Sequence, residues 1–156
     1  VEIVQQGQSF GEATMFLEQP YVVSAQALTS SLLLHISKAA VCRSMERDHR
    51  TMRKMLGSLA LQTHHLMLDV EGYSLLTGKQ RTIRYLLGQL ANAEPGSESV
   101  SFDLSVRKGA IASRLNLTQE HFSRILHELS EDDLVRVDGR HLTVPSLQRL
   151  IMHQFE

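Results

Sequence analysis

Apolar residues recur at helical spacing through most of this chain and form short strand-like runs near its two ends. The clearest helical stretch runs from Leu117 to Leu129. At about 100° per residue, Phe122, Ile125, Leu126 and Leu129 share one face, and Glu120, Ser123, Arg124 and His127 share the other. Thr118 can cap the first turn through its hydroxyl. A shorter helix precedes it, with Ile111, Ala112 and Leu115 inward. Asn116 ends that helix, because Asn tolerates the left-handed conformation of a tight turn. Two short helices around a tight turn, with a polar outer face, predict a helix-turn-helix. Periodicity alone would also fit an ordinary pair of surface helices. The next residues narrow the choice. Leu134–Val137 and His141–Val144 read as strands joined at Asp138-Gly139, a hairpin signal. A helix-turn-helix followed by a hairpin is a winged helix.

Upstream, Met52, Leu56, Leu59, Thr63, Leu66, Val70 and Tyr73 are spaced by four and three, as in a coiled-coil seam on one long helix starting near Asp48. A seam this narrow favours a helix from a second copy, so the chain is expected to be a homodimer. Leu61, His65 and Leu68 lie off the seam and are expected against the chain's own sensor segment. Thr77 is expected to cap a helix over Gly78–Asn92 with Ile83, Leu86, Leu87 and Leu90 inward. Ala93–Ser101 reads as a loop, Val100–Leu104 as a strand beside the wing, and Pro145-Ser146 as the start of a last helix with Leu147, Leu150 and Ile151 inward. Near the start, Val1–Phe10, Val22–Ala27 and Ser31–Ile36 read as strands, Ala13–Leu17 as a short helix, and Ser37–Val41 as the opening of another.

The second half of the chain resembles the Crp/Fnr family of bacterial transcription regulators. The resemblance rests on Ile111-Ala112, Leu115, Leu117-Thr118, Glu120, Phe122-Ser123-Arg124-Ile125-Leu126, Leu129, Leu134-Val135 and Gly139-Arg140. Asn116 departs from the family's usual Gly, and Arg107 from its usual Ser or Thr cap. The resemblance implies an α+β fold in three parts. Residues 1–40 would end a β-roll effector domain, residues 41–75 would form the dimerisation helix, and residues 76–156 would form the winged helix-turn-helix. It also implies that the chain is a fragment lacking the start of the sensor domain.

The same resemblance implies roles. Gly11 and Glu12 look like the phosphate-binding cassette that holds cyclic AMP in some members. Those members follow it with Arg-Ser, where this chain has Val23-Ser24, so the cyclic phosphate would lack its main counter-charge and cyclic AMP is disfavoured. An iron–sulfur cluster is disfavoured too, because Leu34 stands where oxygen sensors of the Fnr type carry a cysteine. The segments Gly11–Leu17 and Val23–Ala27 look most like the Dnr-type branch, whose members respond to nitric oxide through haem. Candidate haem ligands are His35, His64 and His65, each of which reads first as a plain structural or surface histidine.

Base reading can be argued from groups. Arg124 can fork onto a guanine, Glu120 can accept from a cytosine amino group, and Ser123 can approach a thymine methyl. The Fnr branch uses this arrangement on TTGA-type half-sites, which a dimer would read as an inverted repeat. Arg107, Lys108, Arg114, Thr118, His127 and Arg140 are the candidate backbone contacts.

Composition changes this picture little. The 156 residues carry a formal charge of −1, yet Gly78–His127 holds seven basic against four acidic side chains. The single cysteine, Cys42, excludes an internal disulfide framework and fits a reducing compartment. No apolar run suits a bilayer, and a cytoplasmic protein off the membrane is expected; that no signal peptide is visible carries no weight in a chain read as a fragment. No nucleophile–base pair, phosphate loop or metal-ligand spacing points to an enzyme. The expected partners are double-stranded DNA, a second copy and RNA polymerase. The rival reading is a winged-helix docking module for protein, without specific DNA binding.

Overall fold

The computed structural model describes residues 2–90 and 99–155. The expected loop up to residue 98, and the last residues of the helix expected to reach Asn92, lie outside them. The chain divides into two compact units, with the change near residue 70.

In the first unit, Glu12–Leu17 forms helix α1. Gly11 caps it at φ 91, a conformation that L side chains resist. Lys38–Arg47 forms α2, where the Ser37 hydroxyl accepts from the Ala40 N–H. Helix α3, His49–Leu75, begins here. An ion pair joins Lys38 to Glu18 and holds the Glu18 carboxyl below its ordinary range. The strands expected at 1–10, 22–27 and 31–36 do not form among the described residues. Val22 is 91% exposed and Leu32 fully exposed. A strand needs a neighbour to satisfy its backbone, and no ladder forms here. Leu61 and Leu68 are likewise exposed, not packed against the sensor segment.

The second unit holds the core. Helix α4, Gly78–Gln89, starts in a capping box. The Thr77 hydroxyl accepts from the Gln80 N–H, and the Gln80 side chain accepts from the Thr77 N–H. Helices α5, Lys108–Arg114, and α6, Gln119–Glu131, follow. Both end in Schellman motifs built on a left-handed residue that is not glycine. At α5 the Leu117 N–H donates to the Ala112 carbonyl around Asn116, φ 54. At α6 the Leu134 N–H donates to the Leu129 carbonyl around Asp133, φ 51. Leu134 and Val135 therefore belong to this cap, and strand β2 is only Arg136–Asp138, shorter than expected.

Strand β3, His141–Val144, lies between β2 and β1, Val100–Asp103, in an antiparallel sheet. Gly139 takes the first of two loop positions at φ 59, where a II′ hairpin turn requires glycine. Leu142 and Val144 point into the core. Thr143 and His141 alternate outward, meeting Ser101 at 2.8 Å and Asp103 at 3.0 Å. Helix α7, Leu147–Met152, completes the unit. Ile83 and Leu86 of α4, Ile111 of α5, Phe122, Ile125, Leu126 and Leu129 of α6 and Leu150 of α7 are all buried, with α6 packed against α4 and α5 and α7 against α4. Leu150 is inward as expected. Ile151, expected inward, is 42% exposed, because six residues give one buried position per turn.

Candidate nucleic-acid interface

Burial of Phe122, Ile125, Leu126 and Leu129 fixes the rotation of α6 about its own axis. Its opposite face is then forced outward, and Glu120, Ser123, Arg124 and His127 are all exposed. Among the described residues, Glu120, Ser123 and Arg124 have no side-chain hydrogen-bond or ion-pair partner. Their donors and acceptors are open to a ligand. His127 meets Glu131 one turn on, at 3.6 Å.

The N-terminus of α6 is held in two ways. The Thr118 hydroxyl accepts from the His121 N–H at 3.2 Å, so this side chain serves the helix itself. Gly109 of α5 lets Gln119 approach; a Cβ there would come within 2.7 Å of Gln119 Oε1. Arg107 stands at the N-cap of α5, exposed and making no capping bond, with Lys108 beside it.

Two expected phosphate ligands have other engagements. Arg140 donates from Nε and Nη2 to the Leu104 carbonyl, at 3.1 and 2.6 Å. Its own carbonyl accepts from the Leu104 N–H. Arg140 therefore ties the hairpin to the end of β1. Arg114 donates from Nη1 to the Tyr73 hydroxyl at 3.3 Å, and that hydroxyl donates to the Arg114 carbonyl at 2.8 Å. Tyr73 was expected in the dimer seam. The structure turns its hydroxyl onto its own helix-turn-helix, where the last turn of α3 lies beside the end of α5. The other seam positions Leu56, Leu66 and Val70 are 59–64% exposed, Thr63 is exposed, and Met52 and Leu59 are half-buried.

The sequence reading missed Arg81. Its Nε donates to the Leu115 carbonyl at 2.9 Å and its Nη1 to the Leu76 carbonyl at 2.8 Å. Its guanidinium carbon lies 5.9 Å from the centre of the Tyr73 ring. Also missed was the polar group at the end of α6, where Asp132 meets Lys79 at 3.4 Å and Asp133 meets Arg136 at 3.2 Å. These contacts join residues far apart in sequence or lie beyond a helix end, so periodicity gives no signal for them.

The effector cassette is much less built. Gly11 packs beside the Tyr21 ring, and Glu12 accepts from the Ser9 hydroxyl. Val23 and Ser24 lie exposed, with no helix or ladder around them. For haem, every residue from 18 to 39 is exposed, so nothing encloses His35. His64 and His65 are exposed on α3 with ring centres 6.5 Å apart and tilted by 40°. These residues do not form a haem pocket.

Comparison with known proteins bears on both halves. The Crp-like helix-turn-helix domain matches residues 80–152, and the cyclic nucleotide-binding domain matches residues 1–48. No curated protein matches. Among solved structures, a candidate cyclic nucleotide binding protein from Ruegeria pomeroyi is 29% identical, with TM-score 0.68, over 100% of this chain and 67% of its own. FixK2 from Bradyrhizobium japonicum is 20% identical, with TM-score 0.66, over 75% of this chain and 58% of its own. A CooA mutant from Carboxydothermus hydrogenoformans is 17% identical, with TM-score 0.67, over 74% and 54%. The last two likenesses concern the fold alone. The chain thus spans between about half and two thirds of these relatives. A cyclic nucleotide-binding match followed by a Crp-like helix-turn-helix match on one chain is what it shares with the Crp/Fnr family of regulators.

Proposed function

We propose that the chain is the DNA-reading part of a dimeric transcription regulator, with α6 in the major groove. One observation carries this reading. Glu120, Ser123 and Arg124 stand exposed and without partners on the outer face of a helix whose inner face is fully buried. An arginine fork, a carboxylate and a hydroxyl at this spacing match successive base edges, a guanine, a cytosine and a thymine. A TTGA-type half-site fits that set, and a dimer reads two of them inverted. Arg107, Lys108 and His127 would meet phosphates, which hold the protein in register without reading sequence. Arg140 would act mainly by fixing the wing.

The stripe of exposed Leu56, Leu66 and Val70 with half-buried Leu59 supports dimerisation through α3. Residues 41–75 serve that role, residues 1–40 belong to the sensor, and residues 76–156 read DNA. Cyclic AMP is not the effector in this reading, since Val23 offers no charge to the phosphate. A nitric oxide response through haem, as in the Dnr-type branch, would need an enclosed ligand that residues 18–39 do not supply.

The test is binding of the purified protein to a TTGA-type inverted repeat and to scrambled duplexes of equal length. Preference for the repeat by tenfold or more is expected. Equal affinity for all duplexes would favour the protein-docking reading.

A further inference from the structure

We infer that Tyr73 and Arg81 are positioning residues that latch the end of α3 to the helix-turn-helix and so set the direction in which α6 is presented. The inference rests on the DNA-reading function proposed above. Three helix ends meet at this point. Helix α3 stops at Leu75, α4 starts three residues later at Gly78, and α5 ends at Arg114. The carbonyls at a helix C-terminus have no partner within the helix and carry the negative end of its dipole.

Arg81, projecting from α4, answers two such ends at once. Its Nη1 takes the Leu76 carbonyl just past α3, and its Nε takes the Leu115 carbonyl at the end of α5. The Tyr73 ring lies beside the same guanidinium, and the Tyr73 hydroxyl takes the Arg114 carbonyl. One cation and one phenol therefore close the ends of both helices. The apolar core does not cross this joint. Gly72 is the one buried residue of α3, and a Cβ there would stand 3.4 Å from the Arg84 Nη1 and 3.9 Å from the Leu76 Cδ1. The last turn of α3 is thus held to the DNA-reading unit chiefly by polar groups. Such contacts are directional, so they fix an angle where an apolar contact would allow sliding.

Leu115 and Arg114 border the Asn116 turn that leads straight into α6. A latch on those two carbonyls therefore acts on the recognition helix through the turn. In a dimer, that angle decides how the two recognition helices match the spacing of two half-sites.

The test uses Tyr73→Phe, which removes the hydroxyl and keeps the ring, and Arg81→Lys, which keeps the charge and loses the fork. Binding is measured to a single half-site and to inverted repeats with the spacer lengthened or shortened by one base pair. Both variants should bind the single half-site like wild type. On the best repeat they should lose about three- to tenfold, the scale of one or two hydrogen bonds, and their spacer dependence should flatten. An equal loss on every duplex, or no loss on any, would overturn the latch.

A second measurement does not depend on DNA. In Cys42→Ser protein, spin labels at Glu71→Cys and Gln148→Cys report the distance between the last turn of α3 and α7, with labelled chains diluted into unlabelled ones. Tyr73→Phe should broaden that distribution. An unchanged distribution refutes the latch, even if the wild type prefers no inverted repeat and the DNA-reading function fails.

Discussion

Gly78, the first residue of α4, approaches Leu117 so closely that a Cβ would come within 3.0 Å of the Leu117 Cδ2. His121 and Ile125 would each stand 3.3 Å away on the same side. The start of α4 therefore seats directly on the first turns of α6. Gly78→Ala would gain some helix preference but would have to displace Ile125, which is only 2% exposed. Crowding should win, with a net loss of about 1 kcal/mol in urea unfolding. A stabilised variant would show that the Leu117 and Ile125 side chains can move aside.

Arg124 and Arg107 should separate base reading from phosphate contact. Arg124→Ala would remove the proposed forked pair to guanine. It should cost ~1–3 kcal/mol on the matched repeat and relax preference at that one base pair. Arg107→Ala should weaken all duplexes alike and lower the salt slope by about one unit. A uniform loss from Arg124→Ala across matched and guanine-substituted duplexes would mean that α6 is not the reading helix.

Dimerisation through α3 is checked by charge. Leu66 is 62% exposed and Leu59 half-buried on the same stripe. The double variant Leu59→Glu, Leu66→Glu places four carboxylates in the proposed seam and should give monomers in sedimentation. A dimer that survives both changes must be built on another surface.

Tyr85 makes stability depend on alkaline pH. Burial pushes its phenol up, and the Arg114 charge offsets part of that rise. The folded state thus favours the protonated phenol more than the unfolded chain does. The resulting stability is fully present below the unfolded value near 10 and is lost as pH rises through the folded value. Melting temperatures should therefore fall as pH rises above about 10, and Tyr85→Phe should remove part of that fall. The same slope in wild type and variant would assign the alkaline loss to other groups.

The reading unit was legible in sequence because its determinants are local. Phe122, Ile125, Leu126 and Leu129 fix the buried face of α6 by spacing alone, and that decides where Glu120, Ser123 and Arg124 point. Thr118 and Thr77 cap the helices that they were expected to cap. Asn116 supplies its left-handed turn, and Gly139 its hairpin, within a few residues of where each acts.

Tertiary structure decided everything that joins distant residues. Arg81 reaches Leu115, Tyr73 reaches Arg114 and Arg140 reaches Leu104 across 34, 41 and 36 positions. No periodicity marks such pairs, so the bonds of Tyr73 and Arg140 to distant carbonyls had no signal in the sequence. Strands gave the same lesson in both directions. Val100–Asp103 became one because His141–Val144 lay beside it, whereas the equally apolar runs at 22–27 and 31–36 formed no ladder. A helix satisfies its backbone within its own residues, so its sequence can specify it; a strand is completed only by a neighbour that its own sequence does not name.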